Sequence, residues 1–363
     1  MSYLACFIFI FSVVQFMVAM VNLVFKEGFT NKKVNFKGLV SVLIPARNEE
    51  RNIALLISDL QGQDYQNIEI IVFNDLSTDK TADIVLTLSK TDHRITLVNS
   101  DGLPNGWLGK NFACHSLSKH AKGAYFLFLD ADVRIGKDII ANTIAFSEKY
   151  KLGLLSIFPT QIMITTGERI TVPNMNYILL SLLPLILVRK SKNQSLAAAN
   201  GQYMLFDSAK YLETFPHEKM KDNKVEDIEI ARYYKRNNIK IACLTGCSTI
   251  KCRMYQSFGD AVNGFSKNVI TFFGNSFVLA LLFWLITTFG FLVVLFSLSL
   301  LSLMLYLLVI LLTRIIISII SKQKLTDNLL FLVMQQIALG LFIYKALINK
   351  YKKQYEWKGR SIM

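Results

Sequence analysis

Residues 3 to 25, YLACFIFIFSVVQFMVAMVNLVF, carry no charged side chain. At roughly 1.5 Å per helical residue the run is long enough to cross a bilayer core of about 30 Å. Lys26 follows at once, no basic stretch precedes the run and no small-residue cleavage site follows it, so it reads as an anchor rather than a signal peptide. A second block, 272 to 320, is uninterrupted by charge until Arg314 and has the length of a tight hairpin of two spanning helices. A third, 329 to 348, places Gln335 and Gln336 in its middle and Lys345 near its end, which suits an interfacial or re-entrant helix as well as a spanning one.

With 52% hydrophobic residues and a mean hydropathy of +0.38, the chain still carries 18% charged residues, so the two must be segregated. Lys26, Lys32, Lys33 and Lys37 argue that the loop after the first apolar run is cytosolic, and Lys350, Lys352 and Lys353 argue the same for the tail. Three crossings between those points would put the tail outside, so parity favours a crossing hairpin plus one segment that does not cross. The expected location is the cell membrane, multi-pass, with the polar domain on the cytosolic side.

The net charge of +14 is spread through loops and tail without an aromatic-interleaved stripe, so anionic lipid headgroups rather than nucleic acid are the expected partner. Five cysteines, Cys6, Cys114, Cys243, Cys247 and Cys252, are an odd number on a cytosolic domain and argue against a disulfide framework. Those from 243 to 252 lack paired CxxC spacing and a nearby His, the wrong pattern for zinc.

Between the apolar blocks, apolar runs alternate with helical stretches: strands at 39–45, 68–73, 94–99 and 124–130, and helices near 49–61, 79–90 and 110–121. Continuous apolar strands separated by helices imply an α/β domain with a largely parallel sheet covered on both faces, whose ligands sit beyond the carboxyl ends of the strands. The chemistry is therefore expected in the loops after 45, 73 and 129.

The first of those loops is PARNEE, 45 to 50. The second is NDLSTD, 74 to 79, where Asp75 reads as a ligand contact at a strand end, while Ser77 and Thr78 read equally as caps of the next helix. The third, LDADV at 129 to 133, sends Asp130 and Asp132 to one side of a strand end, where they repel unless a cation neutralises them. Hard oxygen ligands of this kind suit Mg2+ or Mn2+, completed by water and phosphate oxygens. GLPNGWLGKNFACH, 102 to 115, is no nucleotide-hydrolase phosphate loop, because Pro104 and Asn111 stand where that motif needs Gly and Ser or Thr. Its Lys110 reads as a point charge beside a diphosphate or as a solvent-facing lysine.

VSVLIPARNEE, FNDLSTDKTA, GWLGKNFA, FLDADV and the later VEDIEIARYYKRN resemble, in that order, family 2 of the inverting glycosyltransferases, which have the GT-A fold. With the membrane layout and the C-terminal EWKGR, the likeness is greatest to the bacterial carotenoid-acid (diaponeurosporenoate) and hopanoid-associated members. The resemblance implies that Pro45, Ala46, Asn48 and Glu49 line the base and ribose, that Asp75 holds uracil, and that Asp130 and Asp132 hold the metal on the diphosphate. It further implies that NGQYMLF, 200 to 206, with Gly201 and Gln202, forms the floor beneath the sugar, and that Asp227 of VEDIE is the catalytic base. NDLSTD departs from the family's DDGSTD at Asn74 and Leu76, and the QxxRW run of processive synthases is absent, its nearest counterpart being QSFGD, 256 to 260.

Glu226 and Asp227 are adjacent, and adjacent helical residues diverge by about 100°, so at most one is expected to face the sugar. Glu226 is placed on the acceptor side, with a helix-start acid as its other reading, and the helix dipole would lower the pKa of Asp227 unless burial offsets it. Residues 177 to 188, YILLSLLPLILV, are too short to span and are broken by Pro184, so they read as a membrane-interface segment or an internal core helix. The stretch 253 to 273 mixes aromatic and basic residues like an interfacial collar.

The expected organisation is an anchor (1–28), a GT-A domain (36–270), a C-terminal membrane region (272–349) and a basic tail (350–363). The expected function is transfer of one sugar from a nucleotide-diphosphate sugar, a UDP-hexose in the first instance, to a lipid or isoprenoid-type acceptor with inversion. A processive polysaccharide synthase and a non-catalytic membrane scaffold are the alternatives.

Overall fold

The computed structural model describes residues 1–29, 36–352, 356–357 and 360–361. Lys32, Lys33 and Lys353, and Lys358 and Gly359 of the EWKGR run, lie outside the described residues. The chain opens with α1 (Ser2–Val24) and then alternates β1 (Val40–Ala46), α2 (Ile53–Gln61), β2 (Ile68–Asn74), α3 (Thr81–Ser89), β3 (Ile95–Asn99), α4 (Gly109–His120) and β4 (Tyr125–Leu129). The sequence places each of these within a few residues, because every strand is a short apolar run bounded by polar loops.

The second half runs β5 (Val133–Ile135), α5 (Ile139–Tyr150), β6 (Leu154–Gln161), α6 (Thr166–Thr171), α7 (Pro173–Leu182), α8 (Ile186–Lys190), β7 (Tyr203–Asp207), α9 (Ser208–Thr214), α10 (Pro216–Lys219), α11 (Glu226–Arg236) and β8 (Ile241–Cys252). Then come α12 (Phe258–Asn268), α13 (Phe277–Ser297), α14 (Leu300–Ser321), α15 (Leu325–Leu330) and α16 (Leu332–Lys352).

The eight strands form one sheet in the order β3-β2-β1-β4-β7-β6-β8-β5. It is mixed where a largely parallel sheet was expected. β1 to β4 pair in parallel, but β7 runs against both β4 and β6, with Leu129 opposite Tyr203. β6 and β8 are again parallel to each other. Because β7 starts where β4 ends, residues 199 to 202 lie on the same edge as the carboxyl ends of β1, β2, β4, β6 and β8. That edge collects every loop that carries chemistry.

Alternate residues of β1 feed two cores. Val40, Val42 and Ile44 pack with Ile53, Leu56, Ile57 and Leu60 of α2, while Leu43 joins Phe126, Phe128 and Leu117 on the other face. The second core continues through Ile178 and Leu180 of α7 into Phe283, Ile317 and Phe342, so the sheet domain and the apolar helices share one interior.

α1, α13, α14 and α16 are each long and apolar enough to cross a membrane. α1 is built largely inside out: it buries Ala5, Ser12, Gln15, Ala19 and Asn22 together with Ile8, and leaves Phe7, Ile10, Val14 and Met17 exposed. That inversion of the water-soluble pattern is what a lipid surround rewards, since small and polar residues make the helix contacts. Asn22 Nδ2 donates to the carbonyls of Leu180 (3.0 Å) and Leu183 (2.9 Å), and its Oδ1 accepts from Leu185 N (2.7 Å), fastening α1 to the end of α7.

The segment 177 to 188 divides at Pro184. Residues 177 to 181 are buried between α1, α14 and the sheet domain, whereas 183 to 187 are half-buried. In the run 329 to 348, α16 turns its glutamines inward, with Gln335 Nε2 donating to Arg169 O (3.1 Å) and Thr288 Oγ1 donating to Gln336 Oε1 (3.1 Å). Their polar groups are satisfied by α6 and α13.

Ser77 and Thr78 do not cap α3. Asp79 Oδ1 accepts from Thr81 N (3.0 Å) at the helix start, while Ser77 Oγ accepts from Asn48 N (3.1 Å) and Thr78 N donates to Asn48 Oδ1 (2.8 Å). The hydroxyl-bearing loop is therefore spent on tying the loop after β2 to the loop after β1.

Candidate active site

A cavity of about 680 Å³ opens along the carboxyl edge of the sheet. Pro45, Ala46, Glu49, Asp75, Lys110, Asp130, Asp132, Gly201, Gln202, Glu226 and Asp227 all line it. Of the residues assigned individually from sequence to the donor, metal, acceptor and base positions, Asn48 alone does not. It sits exposed at φ 54° with its side chain on Thr78, and Arg47 lines the cavity in its place. Arg47 Nη1 donates to Asp75 O at 2.7 Å, fixing the relation of the first two loops.

The departure from the usual acidic loop has a local account. Asn74 Nδ2 donates to Asn99 Oδ1 (2.9 Å) while its Oδ1 accepts from Ser77 N (3.1 Å), a two-way role that a carboxylate, being acceptor-only, cannot fill. Leu76 takes the left-handed conformation, φ 52°, where a glycine would be unstrained.

Lys110 leads the first turn of α4 into the cavity. Its Nζ lies 2.7 Å from Asp130 Oδ1 and 2.9 Å from Oδ2, and 3.6 Å from Glu226 Oε1. Burial would depress this lysine, but the attraction of Asp130 and Glu226 overcomes it and raises its pKa. The next residue points elsewhere: Asn111 Nδ2 donates to the carbonyls of Met220 (2.6 Å) and Asn223 (3.0 Å), holding the segment that leads into α11. The lysine loop is thus clamped to the chain that carries the two acids.

Glu226 and Asp227 both line the cavity. They are the first two residues of α11, after Val225 at a non-helical φ of −129°, and they approach Gly201 from two directions. Asp227 Oδ2 accepts from Gly201 N (2.9 Å) and its Oδ1 from Ile228 N (2.8 Å). A Cβ at Gly201 would meet Lys110 Nζ at 3.0 Å, Glu226 Oε1 at 3.3 Å and Asp227 Oδ2 at 3.6 Å, so the three groups converge beside this glycine. Burial pushes Glu226 up to about 7, and burial likewise raises Asp227 despite its backbone hydrogen bonds and Lys110. Desolvation therefore outweighs the helix dipole at this end of α11.

Asp130 and Asp132 leave β4 on either side of the buried Ala131. Among the described residues no group of three or more His, Cys, Asp and Glu is placed to hold a metal ion. Two carboxylates, one already holding an ammonium, fit an oxygen-seeking divalent cation whose other positions come from phosphate and water. Behind them Gln202 Nε2 donates to the buried thiol of Cys252 at 2.8 Å. All five cysteines are free.

The far end of the cavity was not singled out. Met175, Met254, Tyr255 and Phe272 line it together with one face of α12, which carries Asp260, Asn263, Gly264, Lys267 and Asn268. The signal was present as the i, i+3, i+4, i+7, i+8 spacing of those residues, but the mixed composition of 253 to 273 read as a membrane collar.

A mixed sheet with its site along one edge, two acidic loops on that edge and a lysine beside them define a domain of the GT-A type. The chain carries a family 2 glycosyltransferase domain: residues 41–207 match the family model described as Glycosyl transferase family 2. The 4,4'-diaponeurosporenoate glycosyltransferase of Staphylococcus haemolyticus is 26% identical over 247 residues, 67% of this chain and 63% of that protein. The protein of that name from Staphylococcus aureus is 27% identical over 271 residues, 70% of this chain and 68% of that one. The match thus spans less than two thirds of the first of these relatives. A mannosyltransferase from Pyrobaculum calidifontis, solved in complex with GDP-Man and Mn2+, shares the fold with a TM-score of 0.61 at 15% identity, over 96% of this chain and 99% of that one.

Proposed function

We propose that this chain transfers one sugar, a hexose from UDP-hexose in the first instance, to a lipid-like acceptor with inversion, the isoprenoid carboxylic acid of its named relatives being the leading acceptor. The observation that carries the reading is the meeting of Lys110, Asp130, Glu226 and Asp227 around Gly201, in a cavity that continues from the loops after β1 and β2 to α12.

In this reading Pro45, Ala46, Glu49 and Asp75 take the nucleoside, and Lys110 faces the diphosphate. Asp130 and Asp132 would hold Mg2+ or Mn2+, which supplies positive charge for the departing diphosphate when bound. Gly201 and Gln202 lie beneath the sugar, leaving room for it by the lack of a side chain at 201. Asp227, held by two backbone amides, accepts the proton of a hydroxyl acceptor as its oxygen bonds to the anomeric carbon and the bond to the diphosphate breaks. Attack from the face opposite the leaving group inverts that carbon.

The membrane arrangement follows the same logic. α1, α13 and α14 cross, and α16 lies along the domain: Gln335 meets α6 through Arg169 O, and ten residues on Lys345 Nζ donates to Asn263 Oδ1 of α12. A helix tied to the domain at two points ten residues apart supports a segment that does not cross, leaving domain and tail on the cytosolic side.

The test is incubation of the purified full chain with Mn2+, UDP-hexoses or GDP-mannose, and an isoprenoid acid or alcohol in detergent, read by mass spectrometry. A singly glycosylated lipid is expected. A polymer, or no product while the nucleotide still binds, would overturn the reading.

A further inference from the structure

Lys110 and Asn111 are consecutive in the first turn of α4, where successive side chains diverge by about 100°. The lysine turns to Asp130 and Glu226, and the asparagine to the segment between α10 and α11. Asn111 is 1% exposed. Its amide nitrogen has two hydrogens to give and faces three carbonyls, Met220 at 2.6 Å, Asn223 at 3.0 Å and Lys221 at 3.3 Å. Leu108 N, just before α4, donates to the same Lys221 O at 2.8 Å. Residues 220 to 223 are thus wrapped around one side chain.

The two sides of this clamp are unequally anchored. α4 keeps its place by other means, because Phe112 N donates to Leu108 O at 2.9 Å and Ala113, Cys114 and Leu117 are buried in the core. The body of α11 is likewise packed, through Ile230, Ala231 and Tyr234, but its first turn precedes them. That turn has no side-chain cap, and the chain before it exposes Lys221 and Asp222. The one further tie given by a side chain of this segment is Asn223 Oδ1, which accepts from Val225 N at 3.0 Å. Asn111 and Asn223 therefore carry the position of α4 to Glu226 and Asp227, and Asp227 carries it on to Gly201 N at 2.9 Å.

Resting on the transferase reading above, we infer that Asn111 is a positioning residue for the reaction. It sets the separation between the donor side of the cavity, where α4 presents Lys110, and the acid pair of α11, and it acts through that pair rather than on the sugar. Being a neutral amide, it does this without carrying charge or a proton.

The test uses the purified full chain in detergent with Mn2+. UDP affinity is read by calorimetry, and kcat per UDP-binding site and donor KM are read by mass spectrometry with the donor and acceptor that the wild type turns over fastest. Asn111→Asp keeps the size but sets an acceptor-only carboxylate against three carbonyls. UDP affinity and donor KM are expected to stay within about twofold, because the donor side is anchored without Asn111. The kcat per site is expected to fall by about tenfold or more, since a shift of about 1 Å in a reacting group can cost about a hundredfold. Asn223→Ala removes the second tie from the outer side of the turn, and the same split is expected there even if Asn111→Asp fails to fold. Wild-type kcat per site in either variant, or UDP affinity that falls as far as kcat, overturns the inference and leaves the transferase reading standing. A wild-type chain that binds UDP and turns over no acceptor overturns that reading, and this inference with it.

Discussion

The ammonium of Lys110 lies 2.7 Å from Asp130 Oδ1 and 3.6 Å from Glu226 Oε1, joining the acid at the end of β4 to the first acid of α11. In the proposed reaction these belong to opposite partners, Asp130 to the donor and Glu226 to the acceptor side. The lysine is thus the electrostatic hinge of the cavity. Lys110→Met leaves both acids without their shared cation and removes a charge from beside the diphosphate. UDP affinity in the presence of Mn2+, measured by calorimetry, is expected to fall by about tenfold or more. Unchanged affinity would remove Lys110 from the donor site.

Asp132 gives a separate handle on the cation. If it and Asp130 hold a divalent ion against the diphosphate, Asp132→Ala should make UDP binding indifferent to added Mn2+, as should excess chelator on the wild-type chain. The relevant measurement is the ratio of UDP affinity with and without Mn2+. Full sugar transfer in excess chelator would rule out the metal role.

Much of this site can be read from the sequence because it lies at strand ends. Asp75 and Asp130 each follow a strong apolar run, and local periodicity suffices to place them on one edge. Three things escape such reading. The antiparallel course of β7, which follows the helical stretch α6 to α8, is a tertiary choice with no local signature. The convergence of Glu226 and Asp227 depends on their being the first residues of α11, approached by a glycine from across the sheet, where the 100° rule of a helix interior says little. The cavity face of α12 is hidden by composition, since aromatic and basic residues before an apolar hairpin suit a membrane collar as well as a cavity wall. Ser77 and Thr78 carry the chemistry of caps and serve as inter-loop ties, which only the neighbouring Asn48 reveals.

Glu226 should be visible in the pH dependence of stability. Its carboxyl is raised by burial from an ordinary value of 4.5 to about 7 in the folded chain. The folded state then holds a proton that the unfolded state gives up. This contribution is fully present below pH 4.5 and is lost as pH rises through 7. Glu226→Gln stays neutral throughout. The melting temperature of Glu226→Gln minus that of the wild type is expected to grow more positive from pH 5 to pH 8 in detergent. A constant or falling difference would show that the acid is ionised throughout.

Asn22 tests the docking of α1 on the domain. Its amide serves the carbonyls of Leu180 and Leu183 and the N–H of Leu185 at the break before and after Pro184. Asn22→Leu keeps the branching and the number of heavy atoms and leaves those groups unpaired in an apolar surround, at a cost of about 1–3 kcal/mol for each buried group left unsatisfied. A lower melting temperature is expected, with UDP affinity of the folded fraction unchanged. Wild-type stability would mean that the α7 end finds other partners.

The last prediction separates chemistry from binding at Asp227. A hydroxyl acceptor must lose its proton as it attacks, and a positioned base contributes typically about 10²- to 10⁴-fold. Asp227→Asn keeps the size and removes the basicity, while the side-chain oxygen still accepts from Gly201 N, now seen at 2.9 Å. Donor affinity is therefore expected to stay near the wild-type value, with transfer to an isoprenoid alcohol lowered by about 10²-fold or more. An isoprenoid acid is already ionised near neutral pH and has no proton to give up, so its defect should be small. The raised pKa of Asp227 sharpens the contrast: a more basic carboxylate is the better proton acceptor, and the alcohol reaction should gain with pH as Asp227 ionises, whereas the acid reaction should not. If the variant transfers to the alcohol at the wild-type rate, the proton leaves by another route, and Asp227 is reduced to holding Gly201 in place.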